Sequence, residues 1–395
     1  MIEKERMNDM EKMKMAVGKL GFGLMRLPVN RENPEEIDQK QLEEMVDLFL
    51  EKGFTYFDTS YVYHNGKSET AIRKALTQRY DRSSFVLASK LPAFLIQTET
   101  QVEEIFAEQL EKCGVTYFDY FLLHNLNKIL YHGIDGNGGT VKTFHMFEAM
   151  KRWKEEGKIR HIGFSFHDDA ETLDEILSDH PEVEFVQIAL NYYDYESPFI
   201  QARKCYEVIR SHGCEMVVME PVKGGMLANV PKEIEKAMKE VRPDLSPASW
   251  AIRFAAGFEG TITVLSGMSN ISQMKDNLSY MTDYHPISER EGEILDQAVR
   301  SYRAMWPLKL KGMDELQKIL YHGIPVSAIL DSYNSCQIQP NPGFAADLNY
   351  YKGQLARNHY AMTDKLPEEK VVLADGTDVT AEVKKAEQWL MEHSF

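Results

Sequence analysis

Eight short apolar runs recur along the first 285 residues, and longer amphipathic runs separate most of them. Two amphipathic runs, QLEEMVDLFLEKG and QVEEIFAEQLEKCG, end at Gly53 and Gly114, where a helix terminus favours a residue that tolerates left-handed backbone. Alternating strands and helices predict either a doubly wound parallel sheet or an α/β (β/α)8 TIM barrel, and eight evenly spaced strands favour the barrel. The predicted strands are residues 20–25, 54–58, 85–89, 118–123, 161–166, 185–190, 215–220 and 261–266.

Length and composition narrow the classes of protein. The chain has 395 residues, so we assign residues 1–285 to the barrel and residues 286–395 to a mostly helical extension. A net charge of −16 argues against a nucleic-acid partner, and no apolar run approaches the ~20 residues of a membrane span. The amino-terminal segment lacks the apolar core of a signal peptide, and the four cysteines are too far apart for a CxxC site. We therefore expect a cytoplasmic protein without a membrane or nucleic-acid partner.

Polar residues close three consecutive predicted strands. Asp58 ends the second strand, Lys90 the third and His124 the fourth, while Tyr63 stands on the loop after the second. Each residue alone has an ordinary structural explanation: Asp58 as a turn cap, Lys90 as a solvated base, His124 as a core histidine and Tyr63 as loop packing. Because active sites of TIM barrels lie at the carboxyl ends of the strands, four such residues on neighbouring strand ends predict a catalytic site.

This set of side chains suits proton transfer to a carbonyl oxygen. A phenol has an ordinary pKa near 10, and an ammonium group beside it stabilises the phenolate. We expect Lys90, fixed by Asp58, to lower the pKa of Tyr63, and His124 to polarise the substrate oxygen. No nucleophile–base pair for acyl transfer is apparent, and the ligands of a metal-dependent barrel hydrolase are missing, so we expect no metal ion.

The motifs FDTSYVYHNGKSE, ASK and LLH resemble the signatures of the aldo-keto reductase family. The resemblance covers roughly residues 16–285 and identifies Asp58, Tyr63, Lys90 and His124 as the family's catalytic tetrad. It implies a (β/α)8 barrel that reduces aldehydes and ketones with NAD(P)H, or catalyses the reverse reaction. Tyr63 would be the general acid and His124 would orient the substrate.

The resemblance also implies where the nicotinamide cofactor lies. Ser165 and Gln187 match the positions that hold the carboxamide, and Met219 replaces the ring-stacking aromatic residue of many relatives. The segment MEPVKGGML, with Pro221, Lys223 and Gly224, matches the part of the site that meets the diphosphate.

A second predicted cofactor segment follows the eighth strand, in SGMSNISQMKDNL. Free backbone N–H groups at the start of a helix bind phosphate, although simple helix capping would produce the same sequence. NADPH-preferring relatives place an arginine near Gln273, whereas this chain offers Lys275, so the family favours NADP(H) and NAD(H) is an alternative. The predicted contacts are Ser266, Gly267, Met268, Gln273, Asp276 and Asn277, of which the last two match adenine contacts.

The extension resembles a bacterial branch of the family whose carboxy-terminal domain is ferredoxin-like and binds iron–sulfur clusters. In the cluster spacing C-x2-C-x2-C-x3-C, this chain has Leu310, Met313, Leu316 and Leu320. A weaker second register has Thr363, Leu366, Glu369 and Leu373. Iron–sulfur ligation requires thiolates, so we expect no cluster, an apolar core in its place, and a helical cap that covers the barrel mouth or contacts another subunit.

We therefore predict an NAD(P)H-dependent oxidoreductase that acts on a small carbonyl or alcohol substrate. The alternative is a redox-sensing or interaction protein that retains the nucleotide-binding barrel. Loops 90–99 and 125–146 should shape the pocket, and their side chains Phe94, Leu95, Tyr131 and Phe144 indicate a bulky or apolar substrate.

Overall fold

The structure is a computed structural model that describes residues 18–133, 136, 138–310, 312–339, 351, 355 and 366–393, without the side chains of residues 313 and 314. Eight parallel strands form a closed barrel in chain order, with β8 pairing to β1. The predicted TIM barrel is therefore confirmed over the doubly wound sheet. The strands are β1 (Leu20–Gly23), β2 (Tyr56–Asp58), β3 (Val86–Leu91), β4 (Phe118–Leu126), β5 (Ile159–Phe166), β6 (Phe185–Ala189), β7 (Glu215–Met219) and β8 (Thr261–Ser266).

Helices surround the barrel and continue beyond it. In the barrel region they are α1 (Gln39–Glu51), α2 (Ser68–Ile72), α3 (Glu99–Cys113), α4 (Lys128–His132), α5 (Thr140–Thr143), α6 (Met146–Glu155), α7 (Ala170–Asp179), α8 (Ala202–Ser211), α9 (Lys232–Val241), α10 (Pro247–Ala256) and α11 (Ile271–Met281). The extension contains α12 (Glu289–Ala304), α13 (Met313–Leu316), the hairpin β9 (Leu320–Tyr321) and β10 (Ile324–Pro325), α14 (Val326–Ile338) and α15 (Thr380–His393). A π-helical turn covers Arg73–Thr77, and 3-10 turns cover Leu24–Arg26, Arg82–Ser84, Ala93–Leu95 and Lys223–Ala228.

Helix α1 illustrates how the sequence pattern builds the outer layer. Asp38 caps its first turn by accepting from the N–H of Gln41 at 3.0 Å. Four apolar residues recur at helical spacing and are buried against the strands, and they are Leu42, Met45, Val46 and Phe49. At ~25 cal/mol per Å² of buried apolar surface, such a stripe stabilises the helix far more than its intrinsic propensity does.

Two catalytic candidates lie within strands, not after them. Strand β3 continues to Leu91 and β4 continues to Leu126, so the predicted ends at Lys90 and His124 were too early. The reason is continued pairing, since Lys90 lies opposite Leu122 and Leu126 lies opposite Phe166, after an irregularity in β4. Both side chains still belong to the carboxyl end of the barrel.

The extension begins with α12, which packs on the outside of the barrel. Its buried face contains Ile294, Leu295, Ala298 and Tyr302, in one apolar cluster with residues of α9 and α10. The buried Arg253 of α10 donates to Glu291 of α12 at 2.8 Å. The predicted domain boundary at residue 285 falls just before this helix, and it remains a prediction.

The apolar residues at the predicted cluster spacing do not all enter a core. Leu316 is fully buried and Leu310 packs partly against the core. Leu320 is 57% exposed, so its predicted place in the core is wrong. Side chains alternate along a strand, and in β9 the next residue, Tyr321, faces inward instead. The side chain of Met313 and residue Thr363 lie outside the described residues.

Three further observations concern the described residues alone. None of their helices is long and apolar enough to cross a membrane. No group of three or more His, Cys, Asp or Glu side chains among them is arranged to hold a metal ion. The four cysteines, Cys113, Cys205, Cys214 and Cys336, form no disulfide bonds and are buried.

Candidate active site

A buried ion pair lies at the carboxyl ends of β2 and β3. The ammonium group of Lys90 donates to Asp58 Oδ1 at 2.5 Å and to the carbonyl oxygen of Thr59 at 2.8 Å. Burial raises the pKa of Asp58, and Lys90 opposes that rise. Burial also acts to lower the pKa of Lys90, but Asp58 and Tyr63 together outweigh it through charge and hydrogen bonding, so the pKa lies above its ordinary value. Lys90 therefore remains a cation inside the barrel.

Tyr63 follows β2 on a tight turn and faces this cation. The turn requires left-handed backbone at three consecutive residues, His64, Asn65 and Gly66, with φ of +51°, +53° and +81°. Asparagine and glycine tolerate this conformation better than most residues. The Lys90 Nζ atom lies 4.8 Å from the centre of the Tyr63 ring.

The direction of the pKa shift of Tyr63 differs from the prediction. Burial raises the pKa of the phenol, and the charge of Lys90 only partly opposes that rise. The expected net lowering is therefore wrong, because the phenolate would lose more hydration than Lys90 replaces. At neutral pH, Tyr63 is a protonated phenol beside a fixed cation, which is a state suited to proton donation.

His124 completes the group on β4. Its Nδ1 atom lies 3.0 Å from Ser60 Oγ, and its ring meets that of Tyr63 edge-on at 5.8 Å between centroids. Burial lowers the pKa of His124 well below 6.5, and the positive charge of Lys90 adds to this effect. The structure thus brings all four predicted residues together and makes His124 a neutral imidazole.

A second layer of polar side chains supports Lys90 from behind. Gln109 of α3 donates to the carbonyl oxygen of Lys90 at 3.0 Å, to Ser89 Oγ and to Glu69, and all these groups are buried. Lys112 neutralises Glu69 at 3.1 Å. This layer was not predicted from the sequence, although Gln109 interrupts the apolar face formed by Val102, Phe106 and Cys113 in α3.

Three predicted nicotinamide contacts meet on adjacent strands. Ser165 of β5 lies opposite Gln187 of β6, and Gln187 Nε2 donates to the sulfur of Met219 at 3.5 Å. Ser165 Oγ accepts from the N–H of Asn125 at 2.8 Å. The Oε1 atom of Gln187 is buried and has no hydrogen-bond partner among the described residues. This unsatisfied acceptor fits the amide N–H of a carboxamide ligand.

The loop after β7 contains the predicted diphosphate segment. Pro221 is buried, and Gly224 adopts a φ of +62° that a glycine tolerates readily. The ammonium group of Lys223 is also buried and binds Asp194 at 2.7 Å. The ammonium group of Lys223 is therefore paired inside the protein. The backbone of this loop is left as the group that could bind a phosphate.

The start of α11 is organised by its own side chains. Asn277 donates to Ser266 Oγ at 2.6 Å and accepts from the Tyr280 hydroxyl at 2.7 Å. Asp276 accepts from Ser246 at 2.7 Å. Both predicted adenine contacts thus already hold internal hydrogen bonds.

The capping interpretation of this segment also has geometric support. Asn270 accepts from the N–H of Gln273 at 3.0 Å, and the Gln273 side chain accepts from the N–H of Ser269 at 2.7 Å. Met268 is buried, whereas Gly267 and Gln273 are exposed.

Arg26 is a basic residue near this segment that was not predicted from the sequence. It follows β1, and its side chain covers Gly267 so closely that a Cβ atom there would lie 3.4 Å from Arg26 Cβ and Cδ. The sequence feature that could have indicated Arg26 is its position directly after the first predicted strand. All strands of a TIM barrel end on the same side, which is where the predicted cofactor segments lie.

Apolar residues flank the catalytic group. Phe94 is 42% exposed, with its ring 5.7 Å from that of His124, and its neighbour Leu95 is also exposed. Tyr131, by contrast, is buried with its hydroxyl bound to Asp179, so its predicted place in the pocket is wrong. Phe144 packs partly against the core.

The chain is similar in sequence to several known oxidoreductases. The uncharacterized oxidoreductase YqkF of Bacillus subtilis (strain 168) is 21% identical over 295 residues, which are 66% of this chain and 86% of that protein. L-galactose dehydrogenase of Arabidopsis thaliana is 24% identical over 250 residues, covering 58% of this chain and 75% of that protein.

Solved structures share the barrel. The aldo-keto reductase AKR11C1 from Bacillus halodurans, in its holo form, superimposes with a TM-score of 0.55 at 22% identity, covering 71% of this chain and 92% of that one. An aldo-keto reductase from Klebsiella pneumoniae in complex with NADPH gives a TM-score of 0.55 at 19% identity, covering 71% and 90%. At these identities the similarity establishes the fold.

The family itself follows from the sequence match. The model of the Aldo/keto reductase family matches residues 19–300, which is well over half of the chain and includes all eight strands. The protein that carries the Asp58–Lys90 pair belongs to the aldo/keto reductase family.

Proposed function

We propose that the protein reduces an aldehyde or ketone to an alcohol with NADPH, or catalyses the reverse reaction, with Tyr63 as general acid. The observation that carries this proposal is the buried Asp58–Lys90 ion pair against the ring of a protonated Tyr63. A buried cation beside a neutral phenol stabilises the phenolate that forms as the proton leaves.

The roles of the four residues follow from their charges. Tyr63 gives its proton to the substrate oxygen, and Lys90 stabilises the resulting phenolate. Asp58 holds Lys90 in place and keeps it charged. The neutral His124, oriented by Ser60, offers a hydrogen bond to the same substrate oxygen.

A bound reduced nicotinamide would supply the hydride. Ser165, Gln187 and Met219 would hold its ring end, where the unsatisfied Gln187 Oε1 supports a carboxamide contact. The backbone of the loop with Pro221 and Gly224 would meet the diphosphate, and the segment from Ser266 to Gln273 would hold the remaining phosphate. Asp276 and Asn277 would position the adenine end through the hydrogen bonds that already order them.

We propose NADP(H) before NAD(H), because Arg26 and Lys275 both offer positive charge near the predicted phosphate segment. If either cation reaches the 2′-phosphate, its substitution by glutamine should weaken NADPH binding more than NADH binding. An equal loss of affinity for both cofactors would assign that residue to the diphosphate. No loss for either cofactor would mean that the residue contacts no phosphate. Fluorescence titration of Arg26→Gln and Lys275→Gln with both cofactors measures the difference.

Absorbance of the reduced nicotinamide tests the activity directly. Wild-type protein should oxidise NADPH with at least one member of a panel of aromatic and aliphatic aldehydes and ketones. The exposed Phe94 and Leu95 favour apolar members of the panel. Tight cofactor binding without turnover on any member would instead support the redox-sensing alternative.

We also propose that the extension is a ferredoxin-like domain without iron–sulfur ligation. The buried Leu316 at a predicted cluster position supports this, since an aliphatic residue cannot ligate iron. Iron and sulfide analysis after anaerobic purification should find neither, and stoichiometric iron would refute the proposal. Four buried cysteines without disulfide bonds support a reducing, cytoplasmic location. Light scattering would detect a dimer formed through the extension.

A further inference from the structure

The loop after β7, residues 220–228, is held by the loop after β6, residues 190–201. Asn191 donates to the carbonyl oxygen of Glu220 at 3.1 Å, and Asp194 binds the ammonium group of Lys223 at 2.7 and 2.9 Å. Glu220 and Lys223 have φ of +55° and +43°, a left-handed conformation that is unfavourable for residues with a side chain. Such a backbone persists only where surrounding contacts enforce it.

The extension supplies contacts to both loops. The Tyr302 hydroxyl, at the end of α12, donates to the carbonyl oxygen of Met226 in the β7 loop at 3.1 Å. The indole N–H of Trp306 donates to the hydroxyl of Tyr193 in the β6 loop at 2.9 Å. The Tyr193 ring also meets that of Tyr302 edge-on at 5.7 Å. The first residues of the extension thus touch each loop directly.

The deepest contact comes from α14. Ser197 of the β6 loop donates to Asp331 Oδ2 at 2.5 Å, and both residues are buried. Ser197 Oγ also accepts from the N–H groups of Phe199 and Ile200, so one hydroxyl joins the extension to the backbone of the loop. Burial raises the pKa of Asp331, the Ser197 hydrogen bond opposes that rise, and Asp194 and Lys223 act on the same carboxyl electrostatically.

We infer that the extension positions the cofactor site. Trp306 and Asp331 fix the β6 loop. Asn191 and Asp194 of the β6 loop then hold the β7 loop in its strained shape. The inference rests on the proposed function, because it takes the β7 loop as the part of the site that receives the diphosphate. Trp306, Ser197 and Asp331 are then positioning residues, since they act through Asn191 and Asp194.

This arrangement has a reciprocal consequence. If docking of the extension favours the loop shape that binds the cofactor, cofactor binding must favour docking by the same factor. The effect should appear in cofactor affinity more than in proton transfer at Tyr63, because Tyr63 follows β2 and its pKa depends mainly on burial and Lys90, with Glu220 of the β7 loop the weakest contributor. A purely structural role for these contacts would not make α14 respond to the cofactor.

The test uses the full chain with three substitutions, two of which are combined in a double variant. Ser197→Ala removes the hydroxyl that joins the loop to Asp331, and Trp306→Phe keeps an aromatic ring but removes the indole N–H. Glu196→Gln is the matched control, since Glu196 lies on the same loop but its side chain is 58% exposed and binds Arg203 at the surface. Circular dichroism verifies that each variant is folded.

Fluorescence titration with NADPH gives the first result. We expect the Ser197→Ala/Trp306→Phe double variant to bind NADPH at least about fivefold more weakly, with kcat at saturating NADPH unchanged. The control should change affinity less than about twofold. Unchanged affinity in the folded double variant would overturn the inference. If the double variant does not fold, Trp306→Phe alone is compared with wild type, with a loss of affinity expected.

Hydrogen exchange gives the second result without any substitution. NADPH should slow exchange of residues 326–338 in the wild-type protein, and it should slow it less in Trp306→Phe. Wild-type protein that binds NADPH without protecting α14 would overturn this inference and leave the proposed function standing. Wild-type protein that binds neither NADPH nor NADH would overturn both.

Discussion

The two ends of the barrel carry the same kinds of side chain in opposite situations. At the amino-terminal end, Glu184 accepts hydrogen bonds from Lys154, from His161 and from the N–H of Ile162. At the carboxyl end, Asp58 has Lys90 as its partner, and its Oδ2 atom has none among the described residues. Each of these two groups thus contains an acid, a lysine and a histidine, but only Glu184 has hydrogen-bond partners for both carboxylate oxygens.

The pKa values show what this difference does. Burial acts to raise the pKa of Glu184, but its hydrogen bonds to His161 and Lys154 lower it to about 2. Burial raises the pKa of Asp58 in spite of Lys90. The amino-terminal end therefore uses charge to stabilise the fold, whereas the carboxyl end keeps charge in an unfavourable environment. Such an arrangement is typical of functional sites.

The largest expected effect concerns the carboxyl end. Tyr63→Phe should lower kcat/KM by ~10²–10⁴, because it removes the only general acid of the group. NADPH affinity, measured by fluorescence titration, should hardly change. Tyr61→Phe is the control, since the Tyr61 hydroxyl on the same turn binds Glu108 at the surface. Wild-type turnover in the Tyr63→Phe variant would require another proton donor.

The next largest expected effect is on stability at the amino-terminal end of the barrel, and it should leave turnover unchanged. Glu184→Gln should reduce the free energy of unfolding by about 2 kcal/mol at pH 7, as measured with urea. Because the folded pKa lies below the ordinary value near 4.3, this stability is fully present above that value and is lost as the pH falls towards 2. The difference between wild type and variant should therefore shrink from pH 6 to pH 3.

Glu156→Gln is the control for this substitution, since Glu156 pairs with Lys158 in an exposed position. It should change stability by less than about 0.5 kcal/mol. A stability difference for Glu184→Gln that grew towards acid pH would contradict the lowered pKa.

A smaller effect tests the support behind Lys90. Gln109→Leu keeps the volume of the side chain but removes its hydrogen bonds to Lys90, Ser89 and Glu69. We expect kcat to fall about tenfold, because Lys90 loses its alignment. NADPH affinity should stay unchanged. Glu104→Gln, on the exposed face of the same helix, should behave as wild type. Equal kcat for both variants would show that strand pairing and Asp58 hold Lys90 without help from Gln109.

The smallest expected effect is in the pH profile. Tyr63 stays protonated up to a raised pKa, and His124 stays neutral down to a lowered one. The rate of carbonyl reduction, as kcat/KM, should therefore vary less than about twofold between pH 6 and 9. An inflection near pH 6.5 would mean that His124 titrates in the working enzyme and is not the neutral donor.

Local sequence patterns predicted much of the barrel. The strand TITVLS was predicted at residues 261–266 and occurs there, because its first five residues are apolar or β-branched and all six are buried. The spacing of Asp58, Tyr63 and Lys90 also predicted a group that the structure assembles. Periodicity could not give the strand ends at Leu91 and Leu126, because pairing with the next strand determines them.

Contacts between distant residues were not predictable in this way. Arg26 meets Gly267 and Ser197 meets Asp331, the latter across 134 positions. The net pKa of Tyr63 depends on burial, which a linear sequence does not report. Leu320 is a further example, because its exposure depends on which side of a two-residue strand faces inward.

The Ser197–Asp331 hydrogen bond also sets an order for biogenesis. At ~5–20 residues per second, a ribosome completes β8 roughly 3–13 s before it reaches Asp331. All eight strands can therefore leave the exit tunnel while the β6 loop still lacks its partner. During that interval the nascent barrel would present Ser197 without Asp331 and the Phe199 ring without Tyr351, which stacks on it in the folded protein. Exposed apolar surface of this kind is recognised by chaperones and proteases. Ribosome stalling between residues 300 and 331 should thus leave nascent chains more sensitive to proteolysis at residues 190–201 than the released protein is.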